Sequence, residues 1–266
     1  RGKRGADICS VRGVVRSRAS TLLPELVVGG LACGVFLVWA VDGGGFAPTS
    51  LYPGSLFLLG LLCVALFTYS RDTAWRRPSR PLALACLLLA GFVAWNFASI
   101  AWADVKADAW LGANRTLTYV IVFALFSLPA WRSTGVAIML GAYSAAVALV
   151  AGGTLLHIAH AADPALSFIG DALVDPTGYH NATAALFLAA FFPAAFLASR
   201  REVPWLARGL LMAAAGLLAQ VALIAQSRGS VIAFALACLL YLILVPSRLR
   251  AALHLAVVAL AVAPAV

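Results

Sequence analysis

Charged residues are so sparse that nine uncharged, largely apolar runs remain between them: 26–41, 43–70, 81–103, 116–131, 133–162, 176–199, 209–227, 229–247 and 251–266. A helix rises about 1.5 Å per residue, so roughly 20 apolar residues cross a hydrocarbon core of ~30 Å. Most of the runs reach or approach that length, and the pattern predicts about nine membrane spans. Period-2 alternation of about ten residues, the mark of an outer-membrane strand, does not occur, and backbone groups in lipid must be satisfied within each segment. The expected fold class is therefore all-α, a polytopic transmembrane helical bundle over 21–266 behind a basic amino-terminal segment at 1–20.

Composition agrees with this, because 11% of residues are charged and 63% hydrophobic, whereas a soluble domain carries about 25% charged residues. The placement of the cations adds an orientation. Lys and Arg in short loops are retained on the cytoplasmic side. Sixteen of the nineteen Lys and Arg residues fall on one side if the spans alternate: Arg1, Lys3, Arg4, Arg12, Arg16, Arg18, Arg71, Arg76, Arg77, Arg80, Arg132, Arg200, Arg201, Arg208, Arg248 and Arg250. The amino terminus is accordingly expected in the cytoplasm. The exceptions on the outer side are Lys106, Arg115 and Arg228.

A formal charge of +9 is also met in nucleic-acid-binding proteins, but here the cations flank spans, as orientation and anionic headgroups require. No nucleic-acid partner is expected. The basic start is not followed by an apolar stretch and cleavage site of signal-peptide proportions, so the first span is expected to remain as a helix. Of five cysteines, Cys33, Cys63, Cys86 and Cys238 fall inside spans, which argues against a disulfide framework. Seventeen Arg against two Lys, with abundant Ala, point to a GC-rich and hence bacterial source. The chain opens at Arg1 and stops within an apolar run, so further residues are expected beyond the carboxyl end.

Four outer loops follow from the alternation. Asp42–Ser50 (DGGGFAPTS) is a Gly and Pro turn with no evident chemistry. Trp102–Arg115 is amphipathic, with Trp102 and Trp110 suited to the membrane interface and Arg115 at the outer start of span four. Ile158–His180 is the longest connection. Leu166, Ile169 and Leu173 in it share one helical face, and the stretch reads either as a lid in the interface or as a packed loop. The fourth is a tight turn, Gln226-Ser227-Arg228-Gly229-Ser230.

An isolated arginine near a span end can simply meet headgroups. Two of them on the side that disfavours cations carry more weight. The guanidinium is a planar donor fork suited to phosphate oxygens, and Ser227, Gly229 and Ser230 leave room for a ligand beside Arg228. A diphosphate at the outer leaflet would satisfy both Arg228 and Arg115. His157, His160, His180, Asp163, Asp171 and Asp175 are possible metal ligands, yet they lack a metal-binding spacing, and no metal is expected.

The stretch from Asp175 to Arg250 resembles the core of the O-antigen ligase and O-antigen polymerase family of bacterial membrane glycosyltransferases. The resemblance rests on G-Y-H-N-A at Gly178–Ala182, opening a span with Pro193 near its inner end, and on S-R-G at Ser227–Gly229. Trp102, Arg115 and Tyr119 match the tryptophan-containing loop followed by an arginine and an aromatic, so that it covers roughly 80–250. It implies a metal-free transferase of the bacterial cytoplasmic membrane, without a cofactor. Such an enzyme passes a glycan from a polyprenyl (undecaprenyl) diphosphate carrier to a glycan or lipid-glycan acceptor on the outer face. Arg228, and less closely Arg115, would bind the carrier diphosphate, with Ser227, Gly229, His180 and Asn181 lining the site. The catalytic base would be a histidine in an outer loop beyond residue 266, so this stretch alone is expected to be inactive. Ligase and polymerase are not separated by these residues. Two other classes use the same arginines: a transporter or flippase of an anionic lipid-linked substrate, with Asn96 and Gln220 as polar lining, and a non-catalytic assembly subunit.

Overall fold

A computed structural model describes residues 24–71, 79–127 and 131–262. The basic segment 1–20 and the cations Arg76 and Arg77 lie outside the described residues. Nine helices account for nearly all of what is described: α1 (Pro24–Val41), α2 (Pro48–Arg71), α3 (Arg80–Ser99), α4 (Lys106–Ser127), α5 (Ser133–His160), α6 (His180–Ala198), α7 (Trp205–Ile224), α8 (Arg228–Leu244) and α9 (Arg248–Val262). Two antiparallel strands of two residues each, β1 (Phe168–Ile169) and β2 (Ala172–Leu173), are the only strands among these residues.

Seven of the helices, α1 to α7, are long and apolar enough to cross a membrane. Leu84, Leu87, Leu88, Phe92 and Trp95 are all exposed on α3, which buries none of its residues. An apolar surface of that extent is untenable in water and suits lipid, and the chain is a multi-pass helical membrane protein. Helix α8 has 17 residues and spans roughly 25 Å. It is shorter than its apolar run because Pro246 biases the preceding residue to extended backbone, and Val245 has φ −74 and ψ 132.

Several polar side chains are satisfied within their own helices, as suits lipid. The hydroxyls of Thr68, Thr116, Thr118 and Thr154 each donate to the carbonyl four residues back. Asn96 Nδ2 donates to the Phe92 carbonyl at 2.8 Å, so this amide is used within its own helix.

The chain divides into two compact units, 1–35 with 48–136 and 36–47 with 137–266. In the first, α4 packs against α2 and α3. The Ser55 and Thr118 hydroxyls meet at 2.8 Å across α2 and α4, and Phe97 meets Trp110 edge-on at 5.7 Å across α3 and α4.

In the second unit α6 and α7 form the central pair. Phe187, Phe191, Leu218 and Val221 are fully buried there among alanines, Ala184, Ala190, Ala194, Ala215 and Ala219, whose small side chains allow close approach of the helices. Helix α5 is tied to α6 by Ser144 Oγ, which donates to the Ala190 carbonyl at 3.0 Å. Helix α8 is held by Phe234, edge-on to Phe191 at 5.1 Å. At the carboxyl end of α6, Arg200 pairs with Glu202 at 3.2 Å in the α6–α7 turn. Its own backbone N–H and the Arg200 charge hold the Glu202 carboxyl below the usual range; the pair is exposed and of little energetic weight.

Two connections meet at the other end of this unit. Gly43, Gly44 and Gly45 all have positive φ, and a Cβ on Gly45 would strike the Trp39 ring at 2.5 Å. A Cβ on Gly44 would meet the Thr177 carbonyl oxygen at 3.3 Å, so the α1–α2 turn lies against the α5–α6 connection. That connection departs from the helical face expected of Leu166, Ile169 and Leu173. Pro164 opens a single 3-10 turn, Pro164–Ser167, and Gly170 at φ 61 turns β1 into β2. Leu173 is fully buried, whereas Leu166 and Ile169 are 82% and 69% exposed, so the three share no common surface.

Candidate functional site

The α7–α8 turn is built residue by residue from its sequence. Helix α7 stops at Ile224, and Gln226 reverses the chain at φ 48, a left-handed conformation uncommon for a residue with a side chain. Ser227 then takes extended backbone and caps α8, its Oγ accepting from Ser230 N–H at 3.1 Å. The first intrahelical bond runs from Val231 N–H to the Ser227 carbonyl. The N–H groups of Arg228 and Gly229 therefore belong to the open first turn, where the helix dipole favours an anion. Both residues are exposed, and no atom lies within 4 Å of where a Gly229 side chain would begin. Among the described residues, no hydrogen bond or ion pair engages the Arg228 guanidinium.

The start of α6 meets this turn. Ser227, 2% exposed, donates from Oγ to Asn181 Oδ1 at 2.6 Å, and its Oγ lies 2.7 Å from Ser230 Oγ. The Nδ2 of the same Asn181 donates to Tyr179 Oη. His180 is the first residue of α6, its ring edge-on to Tyr179 at 4.9 Å. Below them the Thr177 and Thr183 hydroxyls meet at 2.8 Å, and Thr183 Oγ1 donates to the Val174 carbonyl at 2.7 Å. Buried polar groups joined in this way fix the entry to α6.

Four of the expected residues, Ser227, Gly229, Asn181 and His180, are thus brought together with Arg228. Arg115 lies in the first unit. It does not stand at the start of its helix, as the uncharged runs imply: α4 begins at Lys106, and Arg115 is its tenth residue, half-buried and engaged in interactions of its own. The difference has a local cause. Ala107, Ala109 and Leu111 favour helix and Asp108 sits in the first turn, where the dipole stabilises a carboxylate. The α3–α4 connection therefore shortens to residues 100–105, and Tyr119 lies one turn beyond Arg115 on the same helix.

Among the described residues, no three His, Cys, Asp or Glu side chains converge as a metal would require. His160 Nδ1 is instead 2.9 Å from the Leu156 carbonyl oxygen. The bond from Ser230 to the cap and the part played by Tyr179 were not singled out by the sequence, which marked Ser230 only for its small size. Ser230 could have been found from the Ser-x-x-Ser capping spacing; Tyr179 lies inside the quoted G-Y-H-N-A stretch, but nothing in its spacing links it to residue 227.

Comparison with protein-family models, with curated proteins and with solved structures finds no match to this chain.

Proposed function

We propose that this chain is the membrane core of a glycosyltransferase of the O-antigen ligase or polymerase type, in the cytoplasmic membrane of a bacterium. It takes a glycan from a polyprenyl-diphosphate carrier and transfers it to an acceptor on the outer face. The single observation that carries the reading is the α8 turn: an exposed arginine with no counter-charge among the described residues, on an open helix amino terminus, with an unobstructed glycine beside it. A diphosphate leaving group gains negative charge as the glycosidic bond breaks, and preorganised donors aimed at that charge lower the barrier. Arg115 is proposed as a second diphosphate ligand, and His180, Asn181, Ser227 and Gly229 as the lining.

The reading includes nine crossings with the amino terminus in the cytoplasm, α8 and α9 completing the seven longer helices. Ala165→Cys and Ser79→Cys in a cysteine-free background test it. An impermeant maleimide added to intact cells should label position 165 and leave position 79 unlabelled until the cells are opened; the reverse pattern would invert the orientation. The function itself is tested by Arg228→Ala in the complete protein, supplied with a polyprenyl-diphosphate glycan. Transfer should be lost while membrane insertion is kept.

A further inference from the structure

Tyr179 is the exposed member of the network that holds the α8 turn. It is 54% exposed although it immediately precedes α6, the most buried of the long helices of its unit, so it faces outward from an anchored backbone. A phenol both donates and accepts. The Tyr179 oxygen accepts from Asn181 Nδ2, and the Oδ1 of that amide accepts from Ser227, the residue before Arg228. This wiring leaves the Tyr179 O–H proton directed away from the amide and available to a ligand. Two hydrogen bonds and one amide group separate the phenol from Ser227 Oγ, at most roughly 7 Å. A ligand with two phosphates, held at Arg228 and Gly229, would extend over a comparable distance.

We infer that the Tyr179 hydroxyl is a second donor to the phosphate-bearing ligand of Arg228, set in place by Asn181. The inference rests on the diphosphate reading of the turn and adds a contact to it. Tyr179→Phe removes one oxygen from an exposed ring, keeps the edge-on contact with His180, and leaves the Asn181–Ser227 bond intact. The bond from Asn181 Nδ2 is lost with the oxygen, but at this exposed position water replaces it and the Tm should hardly move, whereas a hydrogen bond lost from a charged ligand weakens binding by roughly ten- to a hundredfold.

The test is titration calorimetry of farnesyl diphosphate into the complete protein in detergent, with thermal unfolding followed in parallel. Tyr179→Phe is expected to raise the Kd at least about tenfold at an unchanged Tm, and Arg228→Ala to remove binding. An unchanged Kd for Tyr179→Phe beside lost binding for Arg228→Ala would overturn the inference and leave the diphosphate reading in place. Normal binding by Arg228→Ala would overturn that reading, and the inference with it. A Kd that rises only together with a fallen Tm would show Tyr179 to be structural and would also overturn the inference.

Discussion

Arg228→Ala is expected to lower glycan transfer by at least about a hundredfold, the scale on which removal of one preorganised donor acts on a developing oxyanion. The loss should appear in turnover at saturating donor as well as in donor affinity, because charge on the carrier diphosphate grows as its bond to the glycan breaks. Folding should be indifferent, since no hydrogen bond or ion pair within the described residues uses this guanidinium. Arg228→Lys should recover little: an ammonium keeps the charge but replaces a rigid fork by a single point donor. The check is donor-dependent transfer by the purified variants, with insertion followed by membrane fractionation. Normal turnover by Arg228→Ala would remove the diphosphate role from this residue.

Ala215→Leu should be the most damaging change away from the site. Ala215 is fully buried on α7 in the core shared with α6, among alanines that let the two helices come close. Between helices in lipid the attraction is mainly close packing rather than exclusion of water, so forcing them apart forfeits contacts along the seam. Overpacking a filled core costs about 1–3 kcal/mol, visible as a lower Tm in detergent. Leu210→Ala, on the exposed surface of the same helix, should leave the Tm nearly unchanged. Equal effects from the two substitutions would mean that α7 does not pack on α6 by this face.

Because burial of this kind follows from apolar length, the helices were legible in the chain to within a few residues. Each of the nine uncharged runs contains most of one helix. The boundary that was missed is informative. Reading charge as loop puts Lys106, Asp108 and Arg115 outside a helix, yet the early turns of α4 accept all three, since a helix is not obliged to start where its apolar stretch does. The α5–α6 connection failed for the opposite reason. Leu166, Ile169 and Leu173 have helical spacing, but Pro164 and Gly170 interrupt any helix that could use it.

The candidate site was legible in its parts and not in its assembly. Arg228 stands out by charge alone, and Ser227 and Gly229 by their small size beside it. The contact between Asn181 and Ser227, 46 residues apart, follows from the packing of α6 and α8, which no local pattern encodes. The role of Tyr179 depends on that contact and was invisible without it.

We propose that the carrier diphosphate is released at this protein rather than carried through it. The complete protein, reconstituted in vesicles with an acceptor and a polyprenyl-diphosphate glycan labelled in both carrier and glycan, tests this directly. Free polyprenyl diphosphate is expected to appear in step with glycosylated acceptor. Movement of the intact donor from one leaflet to the other, with no diphosphate released, would contradict it and make the protein a transporter.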